Sequence, residues 1–162
     1  KPMTEIKLIN EYKKLAKKYS NLPTFEDMEK DFEISHVEIK EETKQLLSLE
    51  IRRKIQEKII YYCKLMEAMI FPSGSSPLEV YEVNSIPKEL RDRISKIHKK
   101  FMDVERFCRV LDIQTSEKED VEYIVLATER LNQYRADLLE LAQKMRDAWS
   151  KDQKEEGEQY FG

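Results

Sequence analysis

Glycine and proline are scarce in this chain, with three Gly and five Pro among 162 residues. Tight β-turns depend on these residue types, so a protein built from many hairpins is not expected. Long apolar runs are missing as well, and no stretch approaches the roughly 18 consecutive apolar residues of a membrane-spanning helix. A secretory signal pattern is not visible either. We therefore expect no contact with a membrane.

Only two cysteines occur, Cys63 and Cys108, and both fall on apolar helical faces. Buried, reduced thiols are typical of a reducing compartment, so we expect a cytoplasmic protein. Basic and acidic residues nearly balance, 29 against 32, which gives a net charge of −3. This balance provides no overall attraction to nucleic acid or to an anionic membrane. Abundant Lys, Glu and Ile with few Asn and Gln are also typical of thermophilic proteins.

Apolar residues recur at helical spacing, most densely in residues 46–71. The main stripe on this segment consists of Leu47, Ile51, Ile55, Ile59, Tyr62, Met66 and Met69. A second stripe on another face consists of Leu49, Ile60, Cys63 and Ile70. A helix that is apolar on two sides is enclosed by its neighbours. The pattern therefore predicts the central helix of an all-α bundle.

The start of this central helix is predicted from a capping box. Ser35 is followed three residues later by Glu38, and Ile34 and Ile39 stand where a hydrophobic staple would form. We therefore expect one helix from about His36 to about residue 70, before Pro72. The alternation of Phe32 and Ile34 leaves a competing interpretation, a strand over residues 32–39.

The remaining chain predicts three more long helices and two short connecting helices. The long ones cover residues 3–20, residues 87–112, and residues 117 to 149 or beyond. The short ones follow Thr24 and cover residues 77–82. Short connections favour antiparallel neighbours in an up-down bundle. We assign residues 3–150 to a single bundle domain. Residues 151–162 are predicted to be a polar tail, or an extension of the last helix that Gly157 would end.

Capping and heptad patterns support these boundaries. Capping boxes pair Thr24 with Asp27, Ser76 with Glu79, and Ser116 with Glu119. Residues 87–112 carry an uninterrupted heptad seam of Leu90, Ile94, Ile97, Phe101, Val104, Cys108 and Leu111. This seam predicts packing at a shallow angle. The same segment has an excess of basic residues and residues 113–149 an excess of acidic ones, so we expect the two helices to lie side by side.

Catalytic and metal-binding patterns are weak. One Glu-x-x-His pair, Glu33 and His36, falls at a predicted helix boundary, whereas a di-metal bundle site needs two such pairs. A small metal-dependent hydrolase is the least supported hypothesis, and its carboxylates would be Glu38, Glu41, Glu42, Glu89 and Asp92. Nucleophile motifs and phosphate-binding glycine loops are missing. We therefore predict no cofactor and no bound metal, and favour a protein that is not an enzyme.

Basic clusters provide an alternative hypothesis, that of a nucleic-acid-associated protein. The candidate phosphate-binding residues are Arg52, Arg53, Lys54, Lys58, Lys96, Lys99 and Lys100. Phosphate binding requires several such side chains to converge in space. Helical spacing places the first four on the polar side of the central helix, and we also expect many of these charges simply to be solvated.

The favoured hypothesis is a non-catalytic interaction or assembly protein that binds a protein partner or a second copy. Its candidate partner-binding residues are Met66, Met69, Phe71, Arg135, Tyr160 and Phe161. Methionine and aromatic side chains near the loop at residues 71–77 provide adaptable apolar surface. Arg135 interrupts the apolar seam of the last helix. It is expected either at the flank of the seam, with its stem over apolar surface, or buried and paired with Asp103 or Glu105.

Overall fold

The computed structural model describes residues 5–38, 46–72 and 76–161, with residues 151–161 described as backbone only. Its helices are α1 (Glu5–Lys18), α2 (Phe25–Phe32), α3 (Leu47–Ile70), α4 (Pro77–Ser85), α5 (Lys88–Ile113) and α6 (Glu117–Phe161). A single 3-10 turn, Ile34–His36, follows α2, and the described residues contain no strand. The predicted all-α bundle of four longer and two short helices is confirmed.

The long helices α3, α5 and α6 form the centre of the bundle. Near the start of α3, Arg52 contacts Cys108, close to the end of α5, and Asp120, at the start of α6. Towards the opposite end, Arg93 of α5 forms an ion pair with Asp137 of α6 across 2.8 Å. Helix α5 is therefore antiparallel to both α3 and α6, which run parallel to each other.

The main stripe of α3 and the seam of α5 lie in or against the core as predicted, whereas Leu49, Ile60 and Ile70 of the second α3 stripe are only half-buried. All seven residues of the α5 heptad seam are buried, and so are Ile51, Ile55 and Ile59 of α3. Buried residues of every helix belong to one continuous apolar cluster. Burying a side chain of this size contributes roughly 1.5–3 kcal/mol, so these stripes are the main source of the bundle's stability.

Helices α1 and α2 form a short hairpin at one side of the bundle. The Tyr12 hydroxyl donates to the carbonyl of Pro23 across 2.7 Å, and the Tyr12 ring meets Phe25 edge-on at 5.7 Å. The predicted cap of α2 is confirmed, because the Thr24 side chain accepts a hydrogen bond from the backbone N–H of Asp27. The hairpin is therefore held by its own contacts as well as by the bundle.

The predicted start of the central helix at His36 is wrong. Helix α2 ends at Phe32, where Glu33 takes a left-handed conformation with φ 55°, and α3 begins only at Leu47. The backbone N–H and the hydroxyl of Ser35 both donate to the Glu29 carboxylate, across 2.6 and 2.7 Å, so Ser35 is tied back to α2. The alternative strand does not form over residues 32–38, while Ile39 lies outside the described residues.

Two other boundaries differ from the predictions. Helix α4 continues past residue 82 to Ser85, and α6 continues through Gly157 to Phe161. A single glycine costs a helix only about 1 kcal/mol, which an otherwise helical sequence can tolerate. The Ser116 cap is confirmed, with its hydroxyl accepting from the backbone N–H of Glu119 across 3.2 Å. Helix α6 thus starts at the predicted position and takes the predicted extension past residue 150, but it does not end at Gly157.

Candidate functional site

An apolar groove lies on the described surface between the parallel helices α3 and α6. Its lining side chains are Tyr61, Tyr62, Leu65, Leu131, Arg135, Leu138, Leu139 and Ala142. The groove has a volume of about 220 Å³. We call it the Tyr61 groove. Only Arg135 among these side chains carries a charge, so the groove offers packing area rather than reacting groups.

The walls of the Tyr61 groove are exposed and its floor is buried. Tyr61 is 58% exposed on the α3 wall, and Leu139 is 68% exposed on the α6 wall. Leu131 and Leu138 lie buried beneath them, and Tyr62 packs edge-on against Phe101 of α5 at 6.0 Å. Single exposed apolar residues are ordinary, whereas large contiguous apolar patches are the ones that mark interaction sites.

Helix α2 already occupies the first part of the same cleft. Met28 of α2 lies against Thr128 of α6, with sulfur and hydroxyl 3.8 Å apart. One turn further along, Asp31 pairs with Arg135 across 2.9 Å. Helix α2 stops one residue later, at Phe32, and the chain turns away. The Tyr61 groove begins at Arg135 and therefore continues the line of a cleft that already accommodates a helix.

Arg135 lies at the boundary between these two parts of the cleft. Its side chain is about half exposed and also contacts the Asn132 amide oxygen across 3.0 Å. On its other side is a more polar pocket of about 320 Å³, lined in part by Asp27, Lys30 and Asp31. The expected flanking position of Arg135 is the one observed. Pairing with Asp103 or Glu105 was the wrong alternative, since its partner comes from α2.

Helical spacing places two basic side chains at the edges of the Tyr61 groove, which we call its rim. Lys58 precedes Tyr61 by one helical turn on the α3 wall, and Arg146 follows Leu139 by two turns on the α6 wall. Neither forms an ion pair with another described residue, whereas Lys54, one turn further back, contacts Glu57 across 3.3 Å. Lys58 and Arg146 therefore add positive charge at the two walls, whereas the charge of Arg135 is partly neutralised by Asp31.

The structure separates the predicted partner-binding residues. Met66 and Met69 are buried in the core, so the prediction that they form adaptable surface is wrong. Phe71 is 70% exposed but lies apart from the Tyr61 groove, with its ring 6.5 Å from that of His98. The side chains of Tyr160 and Phe161 lie outside the described residues. Of this set, only Arg135 lines the groove.

Arg52 corrects the predicted nucleic-acid surface most clearly. It is 1% exposed, so it does not lie on the polar side of α3. Its Nε donates to Asp120 across 2.6 Å, and its guanidinium also donates to Asp112 across 2.7 Å and to the sulfur of Cys108. Burial disfavours the charged form, but the hydrogen bonds to Asp112, Cys108 and Asp120 outweigh it and raise the pKa of Arg52. The guanidinium of Arg52 is therefore bonded to groups inside the protein and is not exposed to a phosphate at the surface.

The carboxylate of Asp120 completes this buried network. Its second oxygen accepts from the hydroxyl of Ser48 across 3.1 Å, and Thr115 donates to it from the loop before α6. The network therefore fastens the start of α3 to the junction of α5 and α6. Buried ionic groups must be paired and hydrogen-bonded because their desolvation is costly.

The other predicted basic residues stay at or near the surface. Arg53 contacts Glu50 on its own helix across 2.9 Å, which neutralises part of its charge. The three lysines of α5, namely Lys96, Lys99 and Lys100, are exposed. In the predicted α3 cluster, Arg52 is buried, and Arg53 and Lys54 each pair with a glutamate. Among the described residues, Lys58 is therefore the only cation of this cluster without an ion-pair partner.

The carboxylates of the hydrolase hypothesis are dispersed, and the two thiols are buried as predicted. Glu38, Glu89 and Asp92 are exposed, and Glu41 and Glu42 lie outside the described residues. Among residues 5–38, 46–72 and 76–150, no three His, Cys, Asp or Glu side chains are grouped as metal ligands. Cys63 and Cys108 are unpaired and buried. Burial raises the pKa of the Cys63 thiol to about 11, which makes it a poor nucleophile.

Sequence reasoning missed the Tyr61 groove because it assigned apolar residues to the core by spacing alone. A usable signal was present: Leu139 directly follows the seam residue Leu138, and Tyr61 directly precedes the stripe residue Tyr62. Such neighbours point about 100° away from the core-facing residue. Apolar residues at such positions on two adjacent helices indicate a surface beyond the needs of the core.

No protein family, curated protein or solved structure matches this chain. None of the helices in the described part of the chain combines the length and apolar content needed to cross a bilayer.

Proposed function

We propose that this protein is a non-catalytic interaction protein that binds an amphipathic α-helix in the Tyr61 groove. The observation that carries the proposal is the alignment of the groove with α2, which fills the first part of the same cleft. A helix laid between α3 and α6 beyond Arg135 would continue the packing that Met28 begins. Helix-in-groove recognition uses apolar anchors spaced at i, i+3, i+4 and i+7.

The charges at the rim define the partner further. Lys58 and Arg146, which form no ion pair with another described residue, favour a helix whose apolar stripe is flanked by Glu or Asp. Rim charges mainly steer association and select among partners, whereas the buried apolar contacts supply most of the affinity. We therefore expect Tyr61 and Leu139 to contribute affinity, and the basic rim to discriminate between acidic and basic helices.

The proposal is tested with two designed helical peptides that share one leucine stripe and differ in flanking charge. The acidic peptide should shift the NMR signals of Tyr61, Leu65 and Leu139, and the basic peptide should bind at least about tenfold more weakly. Leu139→Lys should abolish the shifts. Val110→Lys is the matched control, because Val110 is an equally exposed apolar residue on α5, outside the groove. Shifts located elsewhere, or equal binding of both peptides, would refute the proposal.

A further inference from the structure

We propose that a pocket between α3 and α5 binds a small phosphate monoester that carries an apolar group. Its cations are Lys64 of α3 and Arg106 and Arg109 of α5, and its volume is about 360 Å³. We call it the Arg106 pocket. It shares no lining residue with the Tyr61 groove, so the inference does not depend on the proposed function. Pockets for small molecules typically measure about 300–1,000 Å³, so a ligand of modest size fits here.

A buried carboxylate orients the two arginines of the Arg106 pocket. The Glu105 side chain is 6% exposed, and its two oxygens accept hydrogen bonds from Nη1 of Arg106 across 2.5 Å and from Nε of Arg109 across 2.8 Å. Both arginine side chains are more than half exposed, so most of their N–H donors remain for a ligand. Because Glu105 already holds the two guanidinium groups, less conformational freedom is lost when an anion binds.

The Arg106 pocket keeps an excess of positive charge after its internal contacts are counted. Glu105 is shared by two guanidinium groups, and Lys64, on the opposite helix, forms no ion pair with another described residue. The second carboxylate of the pocket, that of Glu67, contacts the ring of His98 across 3.1 Å. The three cations and two carboxylates that line the pocket give it a net charge of +1, which favours an anionic ligand.

The number and shape of these donors favour a phosphate group over a carboxylate. A planar guanidinium fork can bind two oxygens of an anion at once, whereas a lysine adds a point charge. Two such forks and an ammonium group together offer more N–H donors than the roughly four lone pairs of one carboxylate accept. A phosphate monoester has three terminal oxygens and a charge of about −1.5 to −2 near neutral pH. It can therefore contact cations of both helices.

The apolar lining of the Arg106 pocket indicates the rest of the ligand. Cys63 is buried, and Ile60 and Met102 are half-buried beside it. Such surface contributes affinity only when a ligand covers it with apolar atoms of its own, and a methionine adapts to the shape of the group that it meets. A phosphate with an aromatic or aliphatic substituent therefore fits both parts of the pocket, whereas inorganic phosphate fits only the cationic part.

Phenyl phosphate and inorganic phosphate are the probes that test this inference. In an NMR titration, phenyl phosphate should shift the signals of Lys64, Met102 and Arg109. It should also bind at least about tenfold more tightly than inorganic phosphate, because its ring covers the apolar lining. Phenol, which lacks the phosphate, should leave these signals unchanged. Equal affinities for the two phosphates, or shifts confined to other parts of the protein, would overturn the inference.

Single substitutions test the cations assigned to the phosphate. Lys64→Gln removes a cation that does not contact Glu105, so the fold should be retained while phenyl phosphate binds at least about threefold more weakly. Arg109→Lys keeps a cation near Glu105 but removes the fork, and it should weaken binding by a similar factor of at least about three. Lys96→Gln, at an exposed position of α5 outside the pocket, is the matched control and should leave the affinity unchanged. An unchanged affinity in either pocket variant would overturn the inference.

Discussion

Arg52 and Asp120 form a salt bridge in which both side chains are almost completely shielded from water, with Nε and Oδ1 2.6 Å apart. They come from α3 and α6 and are 68 positions apart in sequence. Each charge is tolerated in the interior because the other is there, together with Ser48, Thr115 and Asp112. Such a pair constrains which ends of the helices meet, since a shift of one turn would leave a buried charge unpaired.

Removing one partner of this salt bridge should destabilise the protein strongly. Asp120→Ala is expected to lower the free energy of unfolding by about 3–5 kcal/mol, because it leaves the buried Arg52 cation short of counter-charge. Urea denaturation followed by circular dichroism measures the change. Asp112→Ala is the control, since Asp112 is 46% exposed and its loss should cost no more than about 1 kcal/mol. Equal losses in the two variants would contradict the role assigned to Asp120.

The methionines of α3 should behave as core residues. Met66→Ala is expected to lower the free energy of unfolding by about 2–5 kcal/mol, because it removes buried contacts and leaves a cavity. Phe71→Ala, at an exposed position, should change it by no more than about 0.5 kcal/mol. Thermal denaturation compares the two. A similar small effect at both positions would show that Met66 is not enclosed.

The two thiols should be unreactive in the folded protein. Burial raises the pKa of both Cys63 and Cys108, although Arg52 partly opposes the shift at Cys108. Because the thiolate is the reacting species, we expect negligible reaction with a disulfide reagent near neutral pH. Complete reaction of both thiols should follow in concentrated urea. Rapid labelling of the native protein would contradict the burial of these residues.

The contact between α1 and α6 should make stability depend on pH. The hydrogen bond from Lys18 lowers the pKa of Glu117, and one from Tyr19 adds to this, against the opposing effect of partial burial. A lowered pKa in the folded state means that the contribution is complete above the usual glutamate range and is lost as the pH falls through that range. Glu117→Gln should therefore flatten the loss of stability on acidification.

Unfolding free energies measured between about pH 7 and pH 3 provide the test. Glu122→Gln, an exposed position on the same helix, is the control and should leave the acid-side slope unchanged. A wild-type slope in Glu117→Gln would show that this carboxylate titrates alike in the folded and unfolded chains.

Much of the fold follows from local pattern. The heptad seam of α5 is buried along its full length, and the caps at Thr24 and Ser116 form as predicted. The capping box at Ser35 does not form, and both the backbone N–H and the hydroxyl of Ser35 donate to Glu29, six residues earlier. The motif predicts that Ser35 caps a following helix, but the serine instead forms its hydrogen bonds with α2, the helix before it.

The candidate site was less predictable. Arg135 interrupts the apolar seam of the last helix in the sequence, and in the structure it lines the Tyr61 groove. Its partner Asp31 comes from α2, more than one hundred residues away, and no spacing rule indicates that contact. Met66 was placed at the surface because methionine is common in adaptable interfaces, although its place in the apolar stripe already predicted burial.

The sequence by itself determined the helices, their apolar faces and the class of the fold, because helical periodicity and capping are local properties of the chain. Tertiary structure alone decided that Arg52 is buried, because the nearby Asp120 carboxylate offsets the cost of removing the cation from water. It also decided that α2 stops at Phe32 and leaves the cleft between α3 and α6 open. A groove is defined by the distance between helices, and that distance depends on contacts between residues far apart in sequence.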